Sequence, residues 1–190
     1  MPLSKKVQEL IGAITQYRQA LLDSVAGLSE AQLAYKPDDG AWTINDILHH
    51  LALTDEANAK LAARALKHAQ ERGVGADPTP DQSKLDCLSE ALAPIRNTRA
   101  QAPEFVTPHD HLPADQSIAR LHESRARMLE GVEQLADYDL TQLKYPHPIL
   151  GELDMYQWIL IAGGHEGRHV AQVGRIKAAA GFPPNSQGAA

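Results

Sequence analysis

Four segments of the chain have the hydrophobic periodicity of amphipathic α-helices, and this pattern limits the fold more than any other feature. The segments run from about Ser4 to Ala26, Thr43 to Arg72, Asp115 to Tyr138 and Asp154 to Ala180. In each segment apolar residues recur at steps of three and four, which places them on one face of a helix. No stretch alternates apolar and polar residues over the length of a strand. The pattern therefore predicts an all-α fold, a four-helix bundle without a sheet.

The residues at the ends of these segments have the chemistry of helix caps. Ser4, Thr43 and Asp154 precede three of the segments, and their side-chain oxygens can accept hydrogen bonds from the first backbone amides. Gly73 and Gly181 follow the second and the fourth segments, where a glycine can adopt the conformation that ends a helix. The boundaries of the second and fourth helices are therefore predicted at both ends.

The second and third helices are separated by a long connection, roughly Gly73 to Ala114, that is rich in proline and polar residues. Such a length permits a crossover instead of a tight antiparallel turn. Within it, Ser83 to Ala100 is predicted to form a short helix bounded by Pro94. A chain of 190 residues is expected to form one domain, here residues 1–182, followed by a flexible tail over residues 183–190.

Charge and cysteine content exclude several classes of function. The formal net charge is −6, and lysine and arginine are interspersed with acidic residues, so no basic surface for nucleic acid or an anionic membrane is expected. The apolar stretches are too short to span a bilayer. The single cysteine, Cys87, cannot form an internal disulfide, and the N-terminus lacks the apolar core of a signal peptide. A cytoplasmic location is therefore expected.

The fourth helix carries a pair of histidines at a metal-ligand spacing, within the segment Gly163 to His169. His165 and His169 are one helical turn apart, so their Cβ atoms are roughly 5–6 Å from each other and both rings can reach one ion. Both also fall on the apolar seam of the helix. Burying two polar rings is unfavourable unless each finds a partner, and a shared metal ion is one solution. Hydrogen bonds to neighbouring side chains, or a wet groove, are the alternatives.

The same segment spells H-E-x-x-H, which raises the question of a zincin-type protease with Glu166 as general base. Such a protease takes its third ligand from further along the chain, but residues 170–190 contain no His, Asp, Glu or Cys. A third ligand is therefore expected from an earlier helix. His50 lies at the edge of the apolar stripe of the second helix, His49 lies on a more polar face, and His122 of the third helix is a weaker candidate. The remaining histidines are predicted to be solvated, namely His68, His109, His111 and His147.

Three motifs of the chain, taken in order, resemble one known family. Trp42 to Ala52 reads WTINDILHHLA, which resembles the W-[ST]-I-x-[DE]-x-L-x-H-L signature of the DinB-like superfamily. His147 to Leu153 is similar to that family's H-P-x-x-G-x-[LM] turn, and His165 to Gln172 is similar to its H-x-x-R-H-x-x-Q motif. The superfamily includes YfiT-like metal-dependent hydrolases. The resemblance covers essentially the whole chain, including the order of the helices and the long connection.

The resemblance implies a four-helix bundle whose inner face holds one divalent metal ion, such as Zn, Ni or Fe. By position it selects His165 and His169, and the spacing from the tryptophan selects His50 over His49. Three nitrogen ligands leave coordination positions open for water or a small-molecule substrate. Members of the family often form dimers, so a homodimer is also expected.

Three functions are compatible with such a site. Characterised relatives suggest a transferase or isomerase that uses a low-molecular-weight thiol of the bacillithiol or mycothiol type. Cys87 of the connection is not expected to be the nucleophile in such a reaction. A hydrolase that uses metal-bound water is the second, but Glu166 is one residue off the seam and is predicted to face solvent. A non-enzymatic metal-binding or small-molecule-binding module of a stress response is the third.

Four further side chains have two interpretations each. Asp46 and Gln172 lie one turn from His50 and His169, so each could orient a ligand ring, although Asp46 could equally cap its helix. Arg125 lies on the seam of the third helix, where it could bind an anionic substrate or extend its head into solvent. Arg168 is predicted to form a surface ion pair. Trp42, ahead of the second helix, is predicted to be a packing anchor.

Overall fold

Four long helices form a bundle, as the hydrophobic periodicity predicts. The computed structural model describes residues 3–38, 41–83, 85, 101–109 and 112–184. Its helices are α1 (Lys5–Val25), α2 (Glu30–Leu33), α3 (Ile44–Arg72), α4 (Ala114–Leu135) and α5 (Met155–Lys177). Single turns of 3₁₀ helix occur at Glu104–Val106 and Leu140–Gln142, and a hairpin is formed by β1 (Lys144–His147) and β2 (Gly151–Asp154). In the bundle, α1 packs mainly against α5 and α3 mainly against α4.

The predicted caps are present at the helix starts. The Ser4 side chain accepts a hydrogen bond from the amide of Val7 at the start of α1. Thr43 and Asp154 each form a capping box with the residue three positions on, at the starts of α3 and α5. The left-handed conformation of Gly73, with φ 62°, ends α3. These helix starts were predictable because each depends on neighbours in sequence.

Two predicted helix ends were placed three residues too far. We predicted Tyr138 and Ala180, whereas α4 ends at Leu135 and α5 ends at Lys177. In both places the chain leaves the helix through a tight turn, and the amide of Tyr138 donates to the carbonyl oxygen of Leu135 at 3.0 Å. Apolar residues beyond the last helical turn continue the periodicity, and for this reason the ends were overestimated.

The prediction that the chain contains no strands was wrong. β1 and β2 pair antiparallel, with Lys144 opposite Asp154 and His147 opposite Gly151. Four residues per strand are too few to give a recognisable alternation, and the proline within β1 weakens the signal further. Gly151, with φ 77°, allows the tight return of the chain. Because Asp154 is both the last residue of β2 and the cap of α5, the hairpin fixes where α5 begins.

The start of the long connection is held against one end of the bundle by a buried ion pair. Lys6 Nζ lies 2.5 Å from Asp77 Oδ2, and the Tyr156 hydroxyl also donates to this carboxylate. Partial burial of Asp77 disfavours its charge, but the hydrogen bonds from Lys6 and Tyr156 lower its pKa to about 2. The helix predicted from Ser83 to Ala100 lies almost entirely outside the described residues. The predicted tail lies partly outside them, since only residues 183 and 184 of it are described.

Most of the core lies in two large apolar clusters, with a layer of charged side chains between them. One cluster contains Leu10 and Ile14 of α1, and the other contains Leu21 of α1. The layer, called here the charged layer, has one member from each long helix, and each member is at most 6% exposed. The members are Arg18 of α1, Asp55 of α3, Arg125 of α4 and Glu166 of α5. An ionic layer thus lies between the two large apolar clusters of the bundle.

Helices α1 and α5 approach closely because α5 has a glycine where they meet. A Cβ added at Gly163 would lie 2.8 Å from Tyr17 Cδ2 and 3.2 Å from the backbone Cα of Ile14. The Gly163→Ala variant is therefore expected to be destabilised by about 1–3 kcal/mol through overpacking. Urea unfolding monitored by circular dichroism measures this free energy of unfolding.

Gly174→Ala, on the same helix, is the matched control. A Cβ at Gly174 would meet nothing within 4 Å, so alanine there should stabilise the protein by up to about 1 kcal/mol through helix propensity. Equal effects of the two substitutions would contradict the close approach at Gly163.

Candidate metal site

Three histidines from two helices converge on one point between α3 and α5. His50 Nε2 lies 3.3 Å from His165 Nε2, and His169 Nε2 lies 3.0 Å from the same atom. One nitrogen atom from each of the three rings lies within 4.8 Å of the other two. In a tetrahedral site with metal–nitrogen bonds of about 2.0–2.1 Å, two ligand nitrogens are about 3.3–3.4 Å apart. The three nitrogens therefore have the spacing of ligands to a single ion.

The local sequence determines how the rings reach this point. The capping box of Thr43 and Asp46 starts α3, and His50 lies in its second turn. His165 and His169 lie one turn apart in α5, as their spacing predicts. The structure thus brings together the three histidines named from the sequence.

Hydrogen bonds on the far side of two rings leave their Nε2 atoms free to bind a cation. His50 Nδ1 lies 2.7 Å from the carbonyl oxygen of Val106, and His169 Nδ1 lies 2.9 Å from Gln172 Oε1. Since each oxygen only accepts, each Nδ1 carries the proton, and Nε2 of both rings presents a lone pair. His165 Nε2 can donate one proton to one of them at most. At least one of the lone pairs on His50 and His169 is then left without a hydrogen-bond donor. A metal ion would bind the Nε2 atoms of all three rings.

The three rings are neutral at physiological pH. Burial is the largest cause that lowers the pKa of each ring, and together with neighbouring positive charges it lowers the pKa of His169 to about 3. The positive charge of Arg168 lowers the pKa of all three further. Neutral imidazole is the form that binds metal, so protons do not compete for the site near pH 7.

Two groups support the ligand rings from outside the cluster. The Trp42 ring lies 4.8 Å from the ring of His50 and 6.4 Å from that of His169, measured between centroids. Trp42, predicted to be a packing anchor, thus packs against two of the ligand rings. The second group is the Val106 carbonyl, in the 3₁₀ turn of the connection. Sequence reasoning missed it because a backbone acceptor has no side-chain signature.

Glu166 does not face solvent, and this prediction was wrong. The residue is 1% exposed, and its Oε1 accepts from Arg18 Nε at 2.8 Å and lies 3.0 Å from Arg125 Nη2. Asp55 completes the charged layer, since its carboxylate lies 2.6 Å from Arg18 and 3.0 Å from Arg125. Burial raises the pKa of Glu166, and the two guanidinium groups oppose that rise. The carboxylate of H-E-x-x-H therefore belongs to the charged layer of the core.

Arg125 was also misinterpreted from the sequence. It neither extends into solvent nor stands free to bind a substrate, because its guanidinium contacts Asp55 and Glu166 and donates to the carbonyl oxygen of Ile14. A seam position identified Arg125 as inward-facing, but its partners come from other helices and could not be found from local sequence.

The remaining candidates lie outside the histidine cluster. His49 is buried, and its ring lies 6.2 Å from that of the exposed His109. His122 is exposed on α4. Asp46 caps α3, whereas Gln172 orients His169 as predicted.

Not all of the histidines predicted to be solvated are so. His68 Nδ1 lies 2.9 Å from the Tyr145 hydroxyl, and His147 Nδ1 accepts from the amides of Ile149 and Leu150 at 3.2 Å. His111 lies outside the described residues.

Comparison with known proteins identifies the family of this chain. The family model described as the DinB superfamily matches residues 13–173, which include all three histidines, the whole of α3 and α4 and the greater part of α1 and α5. The chain belongs to the DinB superfamily. The family implied by the sequence motifs is thereby confirmed.

Relatives of this DinB-superfamily chain cover most of its length. It is 29% identical over 156 residues to "Uncharacterized protein YuaE" of Bacillus subtilis, which covers 82% of this chain and 89% of YuaE. It is 24% identical over 177 residues to a "Putative metal-dependent hydrolase" of Geobacillus kaustophilus, which covers 93% of this chain and 87% of that protein.

Two solved structures share the fold. TT2238, a four-helix bundle protein, matches with a TM-score of 0.58 and 22% identity over 89% of this chain and 98% of that one. YfiT from Bacillus subtilis, described with "an unusual four-helix bundle topology", matches with a TM-score of 0.57 and 17% identity over 96% and 92%. These matches confirm the predicted bundle. Within the described residues, no helix of this DinB-superfamily chain has the length and apolar character needed to cross a membrane.

Proposed function

We propose that this chain is a metal-dependent enzyme that holds one divalent ion through His50, His165 and His169. The supporting observation is the direction of the ring hydrogen bonds, which leave Nε2 lone pairs of His50 and His169 facing the centre of the cluster. Three imidazoles suit Zn, Ni or Fe and leave coordination positions open. A divalent ion bound there would lower the pKa of a coordinated water or thiol and supply a nucleophile near neutral pH.

The chain's own residues would keep this site in one geometry. The Val106 carbonyl and the Gln172 side chain fix two of the ligand rings, and Trp42 covers one side of them. His165 is the most exposed of the three ligands, since it is half-buried whereas His50 and His169 are buried. Catalysis requires ligands that are held in place by such contacts, with one side of the site reachable by a substrate.

We propose thiol-dependent transfer as the reaction, with a low-molecular-weight thiol of the bacillithiol or mycothiol type as co-substrate. A thiol that is bound to a metal ion would lose its proton to the solvent near neutral pH. The resulting thiolate would then need no general base from the protein. The carboxylate of H-E-x-x-H is held by Arg18 and Arg125, which argues against the base role that zincin-type hydrolysis requires.

Hydrolysis by metal-bound water is the second candidate. It is supported by the names of two relatives, each called "Putative metal-dependent hydrolase", from Geobacillus kaustophilus and Geobacillus thermodenitrificans. Hydrolysis would proceed without any added thiol. An assay from which the thiol is omitted therefore distinguishes hydrolysis from thiol transfer.

We expect the metal-loaded protein to join a thiol to an electrophile at a rate that falls at least roughly 100-fold in the His50→Ala variant, because a metal-supplied nucleophile is worth several kcal/mol. The measurement is product formation by mass spectrometry over a panel of thiols and electrophiles, with ester hydrolysis followed in parallel without thiol.

His122→Ala is the control, since this histidine is exposed on α4 and should leave the rate unchanged. Turnover that is independent of thiol would replace transfer by hydrolysis. If the protein binds its full complement of metal but shows no turnover in either assay, both reactions are contradicted. The remaining interpretation would be a non-enzymatic metal-binding module.

A further inference from the structure

The charges around the histidine cluster do not balance once a divalent ion is bound. The three rings are neutral, so they do not offset the charge of the ion. The nearest carboxylate in sequence, Glu166, is one of two acids that face two arginines in the charged layer, and this layer is neutral as a whole. The site would therefore carry the full charge of the ion inside a chain whose net charge is −6.

Arg168 adds a further positive charge at the same place. It lies three residues after His165 and directly before His169 in α5, and residues three apart are neighbours on a helix surface. Arg168 is therefore on the same stretch of α5 as two of the three ligands.

The Arg168 side chain was expected to form a surface ion pair, and within the described part of the chain it forms none. None of the ion pairs or side-chain hydrogen bonds among the described residues involves its guanidinium, although the residue is half-buried. A cation next to a metal site weakens metal binding by repulsion. Its position therefore suits an anionic ligand better than the metal alone.

We propose that Arg168 anchors an anionic group, a carboxylate or a phosphate, of the small molecule that binds at the three-histidine site. The planar guanidinium can donate two parallel hydrogen bonds to either group. A site lined by one sign of charge also concentrates ligands of the opposite sign. This inference rests on the proposed metal site and adds the chemical class of its substrate: an anion that carries its charge apart from the reacting atom.

The test measures binding and needs no turnover. Metal content and metal affinity of the wild type and of Arg168→Gln are determined first, by elemental analysis and competition with a chromogenic chelator. We expect Arg168→Gln to bind Zn²⁺ roughly threefold more tightly at low salt, because one repulsive charge is removed. Weaker metal binding would overturn the anchor role, since Arg168 would then support the metal site itself. A wild type that binds no metal would instead contradict the proposed function.

The Zn²⁺-loaded proteins are then titrated with acetate, inorganic phosphate and the neutral acetamide by calorimetry. We expect at least one of the two anions to bind the wild type about tenfold more tightly than Arg168→Gln, in line with a charge-assisted hydrogen bond. Acetate and phosphate distinguish the two anionic groups, and acetamide should not discriminate between the proteins.

Two further variants complete the test. Arg168→Lys keeps the charge and should retain part of the anion affinity, whereas Arg120→Gln removes an exposed charge on α4 and should change nothing. Equal anion affinity of the wild type and Arg168→Gln, both loaded with Zn²⁺, would overturn the proposal while leaving the metal site intact.

Discussion

Replacing His50, His165 or His169 by alanine is expected to remove bound metal from the protein. The three Nε2 atoms share one centre, so each substitution leaves two ligands where three are needed. Loss of an outer hydrogen-bond partner typically lowers metal affinity about 10–100-fold, and loss of a ligand should lower it by more than about 100-fold. Elemental analysis of dialysed protein and chelator competition measure the two effects.

A graded set of variants makes this prediction sharp. Gln172→Ala should weaken metal binding by about tenfold, because it frees the ring of His169 without removing a ligand. His122→Ala, which is exposed on α4, should bind metal like the wild type. A His50→Ala protein that keeps its metal would show that another residue supplies the third ligand.

Asp55→Ala is expected to be the most destabilising single change in the core. The Asp55 carboxylate contacts both Arg18 and Arg125, and all three side chains are at most 6% exposed. Among the residues that the structure describes, its removal leaves the two buried guanidinium groups with Glu166 as their one acidic partner, and breaking a buried ion pair in this way costs about 3–5 kcal/mol. For a chain of this length the loss corresponds to a decrease in Tm of roughly 10 °C.

The neighbouring residue provides the matched control. Glu56 lies 3.8 Å from Arg127 in a pair whose side chains are 32% and 55% exposed. Exposed pairs contribute at most about 1 kcal/mol, so Glu56→Ala should scarcely change the free energy of unfolding. Both variants are compared by urea unfolding. A similar loss in both would mean that the charged layer contributes no more than a surface pair.

Much of the fold could be predicted from the sequence because the determining interactions are local. The cap at Thr43 and the glycine at position 73 act on their own helix, and α3 has the predicted bounds. The hairpin and α2 were missed because four residues are too few to establish a period. The histidine cluster was predictable for a different reason: two ligands are one turn apart, and the family motif supplied the third.

The environment of the site could not be predicted because its partners are distant in sequence. Sequence analysis gave Arg18 no role and predicted that Glu166 faces solvent. The two side chains nevertheless form a hydrogen bond although they are 148 residues apart in the sequence. A charged residue in an amphipathic pattern normally faces water, and only the three-dimensional arrangement reveals that its charge is matched inside. The Val106 carbonyl was missed because any residue could supply it.

The charged layer also determines the axial position of each long helix in the bundle. Apolar clusters alone would tolerate a slip of one turn, about 5.4 Å, since hydrophobic contact has no direction. Slipping α3 by that distance would carry Asp55 away from both arginines. His50 lies five residues before Asp55, and His169 lies three residues after Glu166. Asp55 and Glu166 share Arg18 and Arg125 as partners, so these ion pairs hold α3 and α5 at the relative height at which the three imidazoles meet.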